Sequence, residues 1–77
     1  MSFSELKRII LNPEVMGGKP CIRNMRITVG TITGLLASGE NINSIIEIYP
    51  ELEEQDIYAA LSYATWRAEE HEIAISA

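Results

Sequence analysis

The spacing of apolar residues changes at about residue 28, and this change constrains the fold more than any other feature of the sequence. Residues 9–28 alternate short β-prone stretches with glycine, proline and asparagine, which interrupt regular structure. Residues 29–68 place apolar side chains three and four positions apart, the spacing of one face of an α-helix. The predicted order of elements is therefore a small β element followed by helices.

The β element opens with a predicted strand at residues 9–11, an apolar run that Asn12 and Pro13 close as a turn would. Farther along, Gly17 and Gly18 exclude regular helix and predict a tight turn. A lysine follows, but the earlier glycine and the Ser or Thr of a phosphate-binding loop are missing. We therefore interpret this segment as a turn.

Two further β-prone pieces, residues 21–23 and 26–28, are separated only by Asn24 and Met25. Two residues are the length of a tight hairpin loop. Because asparagine tolerates a positive φ better than methionine does, the left-handed residue is predicted at Asn24.

Three helices are predicted at about residues 29–38, 42–49 and 53–68. Gly39 supplies the stop of the first helix, and Asn41 caps the second. Connections this short pack three helices into a compact bundle. The side chains assigned to the core are Val29, Ile32, Leu35, Leu36, Ile42, Ile45, Ile46, Tyr49, Ile57, Ala60, Leu61, Ala64 and Ala68.

The length of 77 residues allows one domain, which we divide into the β element at 9–28, a helical bundle at 29–69 and a tail at 70–77. No apolar run approaches the roughly 20 residues that cross a bilayer. The N-terminus lacks the residue order of a secretory signal, and the single cysteine cannot form an internal disulfide. We therefore expect a cytoplasmic protein without a membrane partner.

The charge is divided between the two halves of the chain. Residues 1–28 carry a net charge of +3, and residues 29–77 carry −8. Such asymmetry indicates either a surface for an oppositely charged partner or two halves that attract each other within one fold. Both interpretations remain open from the sequence.

Residues 12–27 read Asn-Pro-Glu-Val-Met-Gly-Gly-Lys-Pro-Cys-Ile-Arg-Asn-Met-Arg-Ile, and residues 35–61 contain Leu-Leu-Ala-Ser-Gly-Glu and then Tyr-Pro-Glu-Leu. Together these stretches resemble the family catalogued as domain of unknown function 433. The resemblance extends over about residues 9–64. Members usually have Gly-Thr where Asn24 and Met25 stand, and asparagine can still make that turn.

The resemblance implies a mainly α fold, a homeodomain-like helix-turn-helix bundle that binds DNA and follows a small β element. Many members resemble antitoxins, which bind and silence a PIN-like ribonuclease toxin. On this basis we expect an antitoxin-like regulator, a homodimer that binds such a toxin and, with it, operator DNA. The alternative is a dimeric protein-interaction module without a nucleic-acid role.

The candidate nucleic-acid contacts in the β element are Lys19, Arg23 and Arg26. With a two-residue loop, the two arginines face each other across the hairpin, where like charges are destabilising unless an anion lies beside them. The guanidinium fork matches both phosphate and carboxylate. The anion is therefore either a nucleic-acid phosphate or a carboxylate of the domain itself.

The second and third predicted helices have the spacing of a helix-turn-helix motif, whose second helix enters the major groove of DNA. We expect Glu54, Gln55, Tyr58 and Ser62 to point outward from the start of that helix. Gln55 and Ser62 are ordinary base-edge donors, whereas Glu54 repels phosphate.

The third helix also carries the large aromatic side chains Tyr58, Tyr63 and Trp66. A bundle this small cannot bury all of them together with its aliphatic core. They predict either a protein interface, with a second copy or a toxin, or a cover over the β element. Ile73 and Ile75, in the acidic tail, are further candidates for the interface.

We expect no enzyme activity, cofactor or metal site. His71 has no partners at the spacing of metal ligands. Cys21 lies in an apolar stretch and is predicted to be a small buried side chain.

Overall fold

The computed structural model describes residues 6–70, and residues 1–5 and 71–77 lie outside the described part of the chain. Within residues 6–70, a two-stranded antiparallel hairpin precedes three α-helices, which confirms the predicted fold class. The elements are β1 (Ile9–Leu11), a 3-10 turn (Met16–Gly18), β2 (Pro20–Ile22), α1 (Val29–Ala37), α2 (Ile42–Ile48) and α3 (Glu54–Glu70).

The hairpin pairs β1 with β2, so that Ile9 lies opposite Ile22 and Leu11 lies opposite Pro20. The strand predicted at residues 9–11 is therefore confirmed. Both strands are only three residues long. Because a two-stranded hairpin of this size is marginal alone, its stability must come from packing on the helices.

Hydrogen bonds along β2 alternate between its two sides. The Arg23 amide donates to the Arg8 carbonyl at 2.6 Å, whereas the Ile22 amide points the other way and donates to the Ile27 carbonyl at 2.9 Å. Backbone nitrogens two residues apart in a strand point to the same side, so the nitrogen of Pro20, like that of Ile22, points away from β1. Proline therefore fits in β2 without removing a bond to β1.

The prediction of a two-residue hairpin loop at Asn24 and Met25 is wrong. The bond between the Ile22 amide and the Ile27 carbonyl encloses residues 23–26 in a longer loop. Beyond that bond, the two β-prone pieces are joined by an isolated bridge instead of a second strand.

The left-handed residue of this loop is Arg23, with a φ of 47°, and not Asn24. The Met25 amide closes the turn by donating to the Ile22 carbonyl at 2.9 Å. A left-handed conformation costs a residue with a Cβ about 1–2 kcal/mol. The Arg23 side chain offsets this cost through two hydrogen bonds to Asp56.

The predicted tight turn at the paired glycines is confirmed. Met16, Gly17 and Gly18 all have positive φ, at 51°, 68° and 82°. Gly17 and Gly18 adopt their positive φ angles without steric cost. A preceding turn, in which the Val15 amide donates to the Asn12 carbonyl at 3.0 Å, leads the chain into this segment. This turn reverses the chain between β1 and β2.

Local side chains define the ends of α1 and α2. The Thr28 hydroxyl accepts a hydrogen bond from the Thr31 amide at 3.0 Å at the start of α1. Asn41 and Ser44 form a reciprocal capping box at the start of α2, which confirms the predicted cap. Gly39, with a φ of 102°, follows α1 and confirms the predicted stop.

The core lies where β2 and the three helices meet. Leu61, predicted to be buried, is instead 40% exposed, and Ala68 is exposed as well. The reason is geometric: α3 turns Ile57 and Ala60 inward, and Leu61 lies about 100° around the helix from Ala60. The buried apolar cluster consists of Ile22, Val29, Ile32, Ile45, Leu52, Ile57 and Ala60.

Candidate functional site

The hairpin and α3 are tied together by a cluster of charged side chains. Arg23 donates from Nε and Nη2 to the two oxygens of Asp56 at 3.1 and 2.8 Å, and Nη2 also donates to the Glu51 carbonyl at 3.0 Å. Arg8 donates from Nη1 to Asp56 at 2.9 Å and to Glu53 at 2.7 Å. We call Arg8, Arg23, Glu53 and Asp56 the arginine–aspartate cluster.

Asp56 is the centre of this cluster and is fully buried, with 0% of its surface exposed. Its Oδ2 also accepts the Glu53 amide at 2.8 Å, so the same carboxylate holds the start of α3. Burial by itself would raise the pKa of Asp56, but the bonds from Arg23, the Glu53 amide and Arg8 outweigh burial and hold the pKa below its usual value. The carboxylate is therefore charged and satisfied.

The cluster accounts for part of the charge asymmetry of the sequence. Arg8 and Arg23 of the basic half pair with Glu53 and Asp56 of the acidic half. The expectation that Arg23 faces Arg26 across a tight loop is wrong, because the guanidinium of Arg23 turns toward α3. For this arginine, the domain's own carboxylate supplies the anion.

The other two predicted cations, Lys19 and Arg26, are exposed and make no ion pair with any residue between 6 and 70. They lie at opposite ends of β2, because Lys19 directly precedes the strand and Arg26 follows the turn at its far end. The strand alone separates those ends by about 10 Å. The structure therefore does not gather the three predicted cations into one patch.

The start of α3 presents an acidic surface. Glu54, Gln55 and Tyr58 are exposed, as predicted, whereas Ser62 is half-buried. The Tyr58 hydroxyl donates to Glu54 Oε1 at 3.2 Å, and this bond raises the pKa of Tyr58. A helix that presents carboxylates at its start is a poor electrostatic match for DNA phosphates.

An apolar groove lies at the surface between β1 and α3. Its lining is Leu6, Ile9, Leu11, Tyr63 and Trp66, none of which carries a charge, and it encloses about 210 Å³. Leu11 is 62% exposed and Trp66 is 40% exposed. The rings of Tyr63 and Trp66 lie 5.9 Å apart between centroids, at a tilt of 51°.

The groove brings two of the predicted interface residues together. Tyr63 and Trp66 both line it, and Tyr58 lies elsewhere on α3, bonded to Glu54. Ile73 and Ile75 lie outside the described residues. The aromatic side chains thus cover the β element in part while remaining open to solvent.

Cys21 is a free thiol and is buried, as predicted. Its Sγ donates to the Lys19 carbonyl at 3.3 Å. Across residues 6–70, His, Cys, Asp and Glu side chains form no group of three that could hold a metal ion. None of the helices in this same part of the chain combines the length and apolar character of a membrane span.

The sequence did not single out Arg8, Asp56 or Leu11 as site residues. Asp56 carries a usable signal, because an acidic residue at the third position of a helix can accept the amide before the helix. Arg8 and Leu11 lack a comparable local signal, since only the packing of β1 against α3 reveals their partners.

These features define a small mainly helical domain whose β-hairpin is locked to its third helix beside an open apolar groove. Residues 9–64 match the family described as protein of unknown function DUF433, and the chain belongs to that family. The match confirms the resemblance inferred from the sequence.

A solved relative supports the fold directly. The crystal structure of a DUF433 member protein from Anabaena variabilis ATCC 29413, at 2.00 Å resolution, superimposes with a TM-score of 0.77 and 33% sequence identity. The alignment covers 82% of this chain and 62% of that one.

A curated relative shows the domain in a longer protein. The uncharacterized protein y4eO of Sinorhizobium fredii (strain NBRC 101917 / NGR234) is 30% identical over 53 residues. That stretch is 69% of this chain but only 24% of y4eO. The chain therefore spans about a quarter of the length of this relative.

Proposed function

We propose that this domain is a dimeric protein-interaction module of an antitoxin-type regulator. The observation that carries the proposal is the open, uncharged groove lined by Leu11, Tyr63 and Trp66. Aromatic side chains in such grooves are the common anchors of protein interfaces. In this role the domain performs no catalysis and acts in the cytoplasm, where a ribonuclease toxin meets RNA.

The partner class comes from the family resemblance, which implies a PIN-like ribonuclease toxin. The helical half of the domain supports this choice through its exposed carboxylates Glu47, Glu51 and Glu54. Ile48 lies among them and is 51% exposed. A nuclease that binds RNA presents a basic surface, to which an acidic surface with an apolar anchor is complementary.

The dimer is tested by measuring the molar mass of the full chain by sedimentation across a concentration series. Trp66→Ala should raise the dimer dissociation constant about 30-fold, as expected for an aromatic anchor. Leu61→Ala is the matched control, because Leu61 lies on the same helix with the same 40% exposure but outside the groove. A monomer at every concentration, or equal effects of both substitutions, would contradict the proposal.

The toxin is tested separately, by mixing the chain with the PIN-like ribonuclease encoded nearest to its gene and measuring RNA cleavage. Inhibition that weakens in Glu47→Lys/Glu51→Lys and at high salt supports the assignment, because charge reversal and screening both oppose a basic partner. Full cleavage in the presence of excess domain contradicts it.

Nucleic-acid binding is the second candidate function, and the exposure of Lys19 and Arg26 favours it. With Gln55 and Ser62 as base contacts, two cations per copy would give a dimer four phosphate contacts and a log–log salt slope of about −4. Lys19→Ala/Arg26→Ala removes all four of these contacts and should then bring the slope close to zero. Binding of promoter DNA that ignores both salt and these substitutions would refute this candidate.

A further inference from the structure

We propose that two copies of this chain associate by pairing the outer edges of β1, so that a continuous four-stranded sheet forms across the dimer axis. The inference rests on the proposed dimer and specifies its geometry. It places Leu11 of each copy beside the apolar groove of the other.

Within the described part of the chain, backbone groups on the outer edge of β1 have no hydrogen-bond partner. Because the Ile22 amide points away from β1, its partner Ile9 directs its own N–H and C=O away from β2. Leu11, two residues further along β1, directs its N–H and C=O to the same side as Ile9 does. Among residues 6–70, neither residue has a hydrogen-bond partner on that side, and no other strand pairs with β1. An apolar strand with a free edge is a template for a further strand.

Antiparallel pairing of β1 with itself satisfies these groups in one register. With Ile10 opposite Ile10 of the second copy, Ile9 lies opposite Leu11 of the second copy and both exchange hydrogen bonds. Side chains of directly opposed residues lie side by side on one face of a sheet. Leu11 of the second copy therefore comes next to Ile9, at the groove that Trp66 borders.

Charge favours a second copy as the occupant. The exposed cation Lys7 lies before β1, and the exposed carboxylate Glu14 lies after it. Arg8 is already paired with Asp56 and Glu53 and takes no part in this argument. Antiparallel pairing brings the start of each strand toward the end of the other, so opposite charges approach on both sides of the axis. The groove between them is uncharged, so no ion is buried without a partner.

The experiment compares Leu11→Pro with Leu11→Ala in the full chain, using sedimentation to measure the dimer dissociation constant. Both substitutions remove the leucine side chain, but only proline removes the outward N–H, and that N–H makes no bond to β2. Leu11→Pro should therefore weaken the dimer about 30-fold more than Leu11→Ala, since each dimer loses two hydrogen bonds. Thermal melting checks that both variants fold.

A second measurement does not depend on the proline variant. In the wild-type chain, amide hydrogen exchange at Ile9 and Leu11 should slow as concentration rises, because both amides become bonded only in the dimer.

Glu14→Lys and Lys7→Glu should each weaken the dimer about fivefold, and the double exchange should restore it.

The outcomes separate this inference from the proposed function. A dimer that responds equally to Leu11→Pro and Leu11→Ala, with no concentration-dependent protection at Ile9, overturns the strand pairing and leaves the dimeric module standing. A dimer lost in Ile73→Asp/Ile75→Asp but not in Leu11→Pro places residues 71–77 at the interface and also overturns the pairing. A monomer at every concentration overturns both.

Discussion

Arg23 and Asp56 form a two-point contact that joins the turn after β2 to the first turn of α3, with Nε–Oδ1 and Nη2–Oδ2 distances of 3.1 and 2.8 Å. The carboxylate is fully buried, whereas the arginine side chain is 40% exposed. The contact fixes the small sheet against the helix, and so sets the position of β1 beside the groove.

Removing the carboxylate should destabilise the domain strongly. Asp56→Ala leaves two guanidinium groups and the Glu53 amide without their shared acceptor, and we expect a loss of about 3 kcal/mol in the free energy of unfolding. Glu53→Ala, which removes an exposed carboxylate from the same cluster, should cost much less. Urea denaturation of both variants measures the difference, and similar losses would contradict the central role of Asp56.

Acid should destabilise the domain through the same residue. Folding lowers the pKa of Asp56 below its ordinary value of 3.8. As the pH falls toward 3.8, the unfolded chain therefore takes up a proton at this carboxylate before the folded chain does. The contribution of Asp56 is therefore complete only above about pH 5, falls as the pH approaches the unfolded-state value, and is lost as the pH falls through the lower folded-state pKa. Thermal melting from pH 6 to pH 2 should show a smaller loss of stability in Asp56→Asn; an unchanged pH profile would contradict the assignment.

The backbone of Arg23 allows an unusual comparison. Arg23→Ala removes the contacts to Asp56 but keeps a Cβ at a φ of 47°, whereas Arg23→Gly removes the contacts and relieves the left-handed strain. We expect Arg23→Gly to be more stable than Arg23→Ala by about 1 kcal/mol, the reverse of the order in a helix or strand. Arg26→Ala, the control in the same turn, should change stability by less than about 0.5 kcal/mol.

The start of α2 should depend on its capping box. Asn41→Ala removes the acceptor of the Ser44 amide, which lies 2.8 Å away, and should cost about 1 kcal/mol. Asn43→Ala is the control, because Asn43 is exposed one position inside the helix start. Chemical denaturation should separate the two; equal effects would show that the cap contributes nothing.

Much of the fold follows from signals that lie within a few residues of each other. The change in apolar spacing near residue 28 predicted the element order, and Gly39 and Asn41 marked the helix ends because capping acts on neighbouring amides. Leu61 was predicted to be buried but is exposed. The spacing of apolar residues predicts how wide the buried face of a helix is, but the centre of that face depends on which helix packs against it.

The loop at residues 23–26 shows why local signals were not sufficient to predict the turn. The two residues between the β-prone pieces favoured a tight loop with Asn24 left-handed, and the turn instead bends at Arg23. Arginine adopts this conformation because its side chain gains the bonds to Asp56 and to the Glu51 carbonyl. The competing interaction is tertiary, so no rule for turns could include it.

The candidate site was predicted in part. Tyr63 and Trp66 were identified because a chain of this length cannot bury so many large side chains, and both border the groove. Leu6 and Leu11 complete the groove from another part of the chain, and nothing near them in sequence marks them as partners of α3.

The sequence by itself determined where helices, turns and caps occur, since these depend on hydrogen bonds and side-chain spacing among near neighbours. Only the tertiary structure decided which charges remain available to a partner. Asp56 reaches Arg23 across 33 positions and Arg8 across 48, and these pairs form because packing β1 and β2 on α3 brings opposite charges into a site partly shielded from water. The same packing leaves Lys19 and Arg26 outside and opens the groove beside Trp66.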